Sequence, residues 1–339
     1  MKTIAVEHAV GTVLCHDITR IVPGGEKGPA FRRGHVVREE DIPVLLDIGK
    51  ANLYVFDPAD GYVHEDTAAV RLARAASGRG IALSAPREGK VTLTAEEDGL
   101  LSIDVDGLMR LNSIEDVTFS TIHRHQRVRP GRVLAGTRVI PLVVPEELMR
   151  AAEAVCAEHA PLIEVKPLRR AKVGVVTTGS EIFHGRIKDG FGPLLRAKFD
   201  DLGSEVVDQV FVSDIVDLTV DAITALIRQG ADFIAVTGGM SVDPDDQTPA
   251  AIRATGAEVV SYGAPTYPGA MFMLAWLDDV PILGLPGCVM YYKASIFDLV
   301  VPRILTGERL TRRDIVALGH GGLCENCGIC RYPACGFGK

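Results

Sequence analysis

The apolar run Phe233-Ile234-Ala235-Val236 passes directly into Thr237-Gly238-Gly239-Met240-Ser241-Val242-Asp243-Pro244-Asp245-Asp246, and this junction limits the possible folds more than any other segment. A short apolar strand, a glycine pair and a cluster of acids read as a strand-to-helix turn at the edge of a parallel sheet. Gly238 and Gly239 let backbone N–H groups approach an anion, and Thr237 and Ser241 add hydroxyls. A helix expected from about Gln247 would turn its positive end to the same place. Phosphate suits such a loop, and Asp243, Asp245 and Asp246 suit a cation beside it. The plainer alternative is a tight turn that uses glycine for its backbone freedom, with Asp243 or Asp245 capping the helix.

A second junction of the same design lies upstream, where Lys172-Val173-Gly174-Val175-Val176 runs into Thr177-Thr178-Gly179-Ser180-Glu181. In open α/β sheets ligands collect outside the carboxyl ends of the strands, so two polar glycine turns on one edge point to a shared pocket.

From Lys172 to about Leu305 strands and helices alternate, which predicts a parallel sheet with crossover helices. Strands are expected at Val173, Glu205–Phe211, Phe233, Glu258–Ser261 and Pro281–Gly284. Helices are expected near Leu194–Leu202, Val216–Gln229 and Gln247–Thr255, and through Tyr292, Ile296 and Val300. Upstream, turn signals at Ile21–Gly25 and Lys27–Pro29 and a helix-like Glu39–Leu46 suggest a small α+β module over 1–62. The range 63–165 reads as β-rich, with strands at Val91–Leu93, Leu101–Val105 and Val117–Ile122. Helices connect it at His64–Ser77, ended by Gly78 as a left-handed cap, and at Glu146–His159. A proline-bearing linker over Pro161–Arg170 marks a boundary, leaving an α/β domain over 166–310 and a tail over 311–339.

At 339 residues with 47% hydrophobic and 24% charged side chains, the chain can form several packed domains. The formal net charge of −8 argues against nucleic acid as a partner. No stretch has the order of a signal peptide, and no apolar run reaches the roughly 20 residues needed to cross a bilayer. The chain therefore reads as cytoplasmic, with no membrane partner. Of its cysteines, Cys324, Cys327, Cys330 and Cys335 crowd the tail in a C-x2-C-x2-C-x4-C run. In a reducing compartment this spacing suggests metal: a [4Fe–4S] cluster or Zn2+, with an unmetallated redox tail as the remaining alternative.

Taken in order, these residues resemble the molybdopterin molybdenumtransferase family, and the region from Ala171 to about Gly307 resembles its molybdenum-cofactor biosynthesis domain, which binds molybdopterin. Thr178-Gly179-Ser180-Glu181 is similar to the family's T-G-D/S-E loop, and Asp214 falls where an Asp follows the second strand. Gly238-Gly239-Met240-Ser241-Val242 with Asp246 is similar to G-G-x-S-x-G-x-x-D, and Leu285-Pro286-Gly287 to L-P-G-N-P. The N-terminal half is a looser match, through Ala9–Leu14 and Arg33–Val37. The family's A-x-D-G-Y-A motif is not found, and Asp60-Gly61-Tyr62 reads as coincidence.

The resemblance implies molybdopterin, or its adenylylated form, lying across the two loops. Thr178, Gly179, Ser180, Asp214, Thr237, Gly238, Gly239, Ser241, Pro286 and Gly287 would bind it. Mg2+ and molybdate would be held by Asp243, Asp245 and Asp246, with Glu181 and Asp246 the catalytic candidates. A homodimer and a molybdoenzyme or another cofactor-biosynthesis protein as partner are implied as well.

Several departures bear on that chemistry. Tyr267-Pro268-Gly269-Ala270-Met271 stands where the family has K-P-G-K-P, so two cations suited to an oxyanion such as molybdate are missing. Asp243 replaces a glycine, Gly190-Phe191 stand where a small residue and an Asn are usual, and Cys288 replaces an Asn. Cys288 reads as a thiolate ligand to molybdenum or as a small packed apolar residue. His16, His123, His125 and His184 read as surface or strand positions. Three functions remain open: an enzyme inserting molybdate into adenylylated molybdopterin with Mg2+, a carrier or sensor of molybdopterin, and a nucleotide or pyrophosphate hydrolase.

Overall fold

A computed structural model describes residues 2–20, 28–55 and 61–339. The turn at Ile21–Gly25, Lys27 and Asp60 lie outside the described residues. The chain divides into two compact units: one formed by 1–97, 103–122 and 129–165, the other by 98–102, 123–128 and 166–339.

The first unit is α+β and β-rich. Its N-terminal part pairs strand Lys2–Ala5 with Asn52–Val55 and Ile18–Arg20 with Gly28–Phe31, all antiparallel. Val6, Ala9, Leu14, Ile18, Val37, Leu45 and Leu53 form its core. Further on, Ile81–Leu83, Val91–Ala95, Val133–Val139 and Val117–Thr121 form one antiparallel sheet. Helix Glu65–Ala76 turns Ala68, Ala69, Leu72, Ala73 and Ala76 inward. Arg71 on its outer side makes paired bonds to Glu146 (2.8 and 3.0 Å) and Glu153 (2.7 and 2.8 Å) on helix Glu146–Glu158.

Two expectations fail here. The strand read through Val105 stops at Ile103, because the Asp104 carboxylate accepts the Gly107 N–H at 3.0 Å and starts helix Val105–Asn112. Gly78 is not a left-handed cap, since the helix ends on Ser77 in an extended conformation. Glycine is needed at Gly78 for close approach instead: a Cβ there would sit 2.6 Å from that of Pro161. The linker over Pro161–Arg170 also contains a strand, Ile163–Lys166.

In the second unit six strands form one sheet in the order Glu205–Val212, Lys172–Thr178, Phe233–Thr237, Val280–Leu285, Met273–Leu277, Glu258–Tyr262. The first four are parallel and the last two antiparallel. Central strands covered on both faces read as continuous apolar runs, and their residues alternate between two cores. Val173, Val175, Phe233, Ala235, Leu283 and Leu285 face helices Phe191–Asp201 and Ile296–Leu305. Val176, Ile234, Val236 and Ile282 face helices Val216–Arg228 and Thr248–Ala254. Phe199 meets Phe233 and Phe297 edge-on at 5.3 and 5.2 Å. The α/β class holds, with two local corrections. Strand Met273–Leu277 has no period-2 signal because it is buried on both faces, and Tyr292 lies outside the helices, since Ser295 caps Ile296–Leu305 instead.

Candidate functional site

Register assembles the site. Thr177 pairs with Thr237 and Thr237 with Leu285, so three neighbouring parallel strands end level with one another. On the other side Thr178 pairs with Val212, which brings Ser213 and Asp214 to the same edge. The chain leaves strand Lys172–Thr178 for a neighbour on one side and then crosses to the other, so the reversal of strand order falls between the two glycine loops. Ligands of open α/β sheets bind at such a switch point.

One cavity of about 780 Å³ opens there, lined by Thr178, Gly179, Ser180, Glu181, Asp214, Gly238, Gly239, Asp243, Asp245 and Asp246 among others. A second, of about 670 Å³, is lined by Gly238, Gly239, Met240, Ser241 and Asp246, the Tyr267–Met271 loop, Pro286, Gly287 and Cys288, and Cys324 of the tail. Phe191, Gly238, Gly239 and Asp246 border both cavities. Thr237 borders neither: it is fully buried beneath the loop, its hydroxyl donating to Thr177 Oγ1 at 3.3 Å. The remaining expected site residues, Cys327, Cys330 and Cys335, line a third cavity of about 440 Å³ together with Cys324.

The loops are held by their own polar groups. Asp214 accepts the Ser180 N–H at 2.7 Å, and the Ser180 and Ser213 hydroxyls lie 2.8 Å apart. Thr248 donates its hydroxyl to Gly238 O at 2.9 Å and its N–H to Gly239 O at 3.2 Å. The expected helix begins at Thr248, and its first amide is spent on the loop and not on a ligand. Gly238 has φ +85, and a Cβ on it would lie 2.1 Å from Thr178 O, so this crossing of the two loops requires glycine. Gln209 ties the edge together by donating to Thr177 Oγ1 (3.0 Å) and Asp189 Oδ2 (2.7 Å), while Asp189 accepts the Phe191 and Gly192 N–H groups at the start of the next helix. Gln209 and Asp189 escaped sequence reasoning. Their only signals were a polar residue inside a strand and an Asp two residues before a helix.

Charge is one-sided. Among the described residues the first cavity carries five carboxylates, of Glu181, Asp214, Asp243, Asp245 and Asp246, against the ammonium of Lys188. Among the described residues the second cavity is lined by no Lys, Arg or His. Burial pushes the Cys288 thiol above its ordinary range, and the residue is half-buried on the wall of the second cavity. Among the described residues no three His, Cys, Asp or Glu side chains are grouped to hold a metal ion, so neither Asp243, Asp245 and Asp246 nor the four cysteines form a ready-made ligand set. The reason at the loop is visible: Asp246 turns a carboxylate oxygen to the Asp243 N–H at 3.0 Å, closing the turn. Mg2+ is compatible with this, because it commonly takes one or two protein carboxylates with waters and substrate phosphates completing its shell.

A strand-end crevice with two glycine loops defines a ligand-binding α/β domain, and residues 174–306 match the family described as a probable molybdopterin binding domain. Residues 3–57 match a second family, described as a domain of unknown function (DUF8806). Over 131 residues the chain is 30% identical to the molybdopterin molybdenumtransferase of Staphylococcus aureus (strain COL), covering 37% of this chain and 31% of that one. It is 30% identical over 157 residues to the enzyme of the same name from Haemophilus influenzae, covering 44% and 38%. The chain thus spans about a third of the length of these relatives. Among solved structures, the tungsten cofactor synthesizing protein MoaB from Pyrococcus furiosus is similar at 23% identity and a TM-score of 0.36, covering 42% of this chain and 98% of that one. Residues 174–306 of the second unit thus match a molybdopterin-binding-domain family, and this part of the chain is similar to the molybdopterin molybdenumtransferases. No described helix is long and apolar enough to cross a membrane.

Proposed function

We propose that this chain acts in molybdenum cofactor biosynthesis, binding adenylylated molybdopterin across the two glycine loops and inserting molybdate into it. The observation that carries the reading is the level ending of three strands at Thr177, Thr237 and Leu285, which gathers the loops of a molybdopterin-binding-type domain around adjoining cavities.

The residues supply the following parts. Ser180, Ser213 and the amides of the Gly238-Gly239 turn offer donors to phosphate oxygens at the first cavity. The second cavity, with Met240, Tyr267, Pro268, Met271, Pro286 and Tyr292 on its walls, suits a flat pterin ring and its dithiolene. Asp243, Asp245 and Asp246 would hold Mg2+ with the phosphates, and the ion would offset the joint negative charge of ligand and carboxylates. Glu181, which lines the first cavity, and Asp246, which lines both, would orient a water near the reacting centre. A reducing, cytoplasmic setting belongs to the same proposal, on the ground that seven free thiols persist there. A homodimer and a recipient molybdoenzyme rest on the family resemblance alone.

One observation favours a second reading, a carrier or sensor that binds the pterin and leaves it unchanged. The second cavity has Tyr267 and Ala270 where cations would serve molybdate. Titration of the anaerobically purified chain with molybdopterin and with its adenylylated form, followed by pterin fluorescence, tests the binding common to both readings. Saturable binding that is lost in Gly238→Ala is expected; absence of binding to either form would remove both readings and leave a nucleotide or pyrophosphate hydrolase to be tried.

A further inference from the structure

The cysteine-rich tail is not explained by pterin binding, and its folding poses a physical problem. Beyond Ala317 the described chain forms no helix or strand, and Phe337 is its one buried large apolar side chain, packed with Ala294 and Leu299. A few anchors help: Gly338 N–H donates to Gly321 O at 2.9 Å, closing the segment on itself, and Tyr332 donates its hydroxyl to Asp298 O at 2.9 Å. Leu318, Cys324, Tyr332 and Cys335 pack against the same small cluster, and a cross-link would add to these anchors.

The four cysteines are free, so no disulfide supplies it. All four line one cavity of about 440 Å³. Structural zinc commonly draws its thiolates from two separated pairs, whereas a C-x2-C-x2-C run with a fourth cysteine nearby is the pattern of iron–sulfur ligation.

The tail also reaches the other site. Tyr267 N–H donates to Gly322 O at 2.7 Å and Cys324 N–H to Tyr267 O at 2.8 Å, a two-bond clasp on the loop that walls the second cavity. At that clasp a Cβ on Gly322 would lie 2.4 Å from Pro265 O. Tyr292, Leu323, Cys324 and Asn326 line both the cysteine cavity and the second cavity.

We propose that Cys324, Cys327, Cys330 and Cys335 hold a [4Fe–4S] cluster, and that loading the cluster fixes the Tyr267–Ala270 loop through the Cys324 clasp. Only the description of that loop as a wall of a pterin site rests on the function proposed above. The cluster thereby sets whether the second cavity is formed, and a chain without it has a looser one.

The test uses the full chain, purified anaerobically and reconstituted with ferrous iron and sulfide, beside a Cys327→Ser/Cys330→Ser variant; both cysteines are exposed, so serine leaves the packing intact. About four irons and four sulfides per chain are expected, falling at least about tenfold in the variant. Zinc without iron, or iron retained by the variant, would overturn the cluster. Amide hydrogen exchange across residues 264–272 should be roughly tenfold slower in the loaded chain than in the cluster-free chain; equal rates would overturn the link to the loop. Neither readout involves a pterin, so failure of the proposed function would be seen separately in the titration.

Discussion

The crossing of Gly238 over Thr178 is the narrowest point of the site. Gly238→Ala places a methyl 2.1 Å from a backbone oxygen at a residue with positive φ, so the loops must separate. The expected outcome is a soluble protein with pterin affinity reduced at least about a hundredfold, read by the fluorescence titration. Asp214→Ala removes the partner of the Ser180 N–H, a charge-assisted bond worth about 1.5–3 kcal/mol. Affinity should fall roughly tenfold to a hundredfold, while Asp214→Asn, which keeps an acceptor, should retain most of it. Restoring cations with Tyr267→Lys and Ala270→Lys should raise molybdate affinity about tenfold if the second cavity handles the oxyanion; no change in isothermal titration would speak for the carrier reading.

Most of these positions were legible at residue scale because glycines, acids and hydroxyls next to apolar runs carry their own local signal. Thr237 misled for a physical reason: a hydroxyl at a strand end looks the same in sequence whether it faces a ligand or, as here, a neighbouring threonine beneath the loop. Gln209 and Asp189 act across the sheet edge on partners remote in the chain, which no local pattern encodes.

Elements were readable where their period was clear. Helices Val216–Arg228 and Glu146–Glu158 keep an apolar stripe, and strands entering glycine turns announce their ends. Met273–Leu277 was missed because burial on both faces erases alternation, and Val105–Asn112 because its cap, Asp104, directly follows a strand of alternating pattern. One element-level contact also controls stability. Buried Arg303 on helix Ile296–Leu305 pairs with Glu308 and, at 2.9 Å, with Asp314, which also caps helix Arg312–Ala317. Although burial opposes its charge, bonds from Thr311 and Arg303 hold the Asp314 carboxyl down to about 2. Its stabilisation is therefore fully present above the ordinary carboxylate range and is lost as pH falls toward about 2. His125 is lowered to about 4, by burial first and Arg303 next, so its neutral form favours the fold and that contribution is lost as pH falls from about 6.5 to about 4. Urea unfolding against pH should show both slopes, with His125→Gln flattening the upper one and Asp314→Asn the lower.

At the scale of the whole molecule, the chain joins a molybdopterin-binding-type unit to a separate α+β unit and ends in a cysteine-rich segment. The first of these resembles relatives of which this chain covers only about a third. Under the proposed function, the five carboxylates and one ammonium among the described residues of the loop cavity would favour a cation beside any phosphate bound there. The most direct measurement is AMP release from adenylylated molybdopterin by the anaerobically purified chain, with molybdate and Mg2+ added singly and together. Release that requires both, and is lost in Asp246→Ala, is the expected result. Pterin held without release under every condition would contradict insertion and make the protein a carrier.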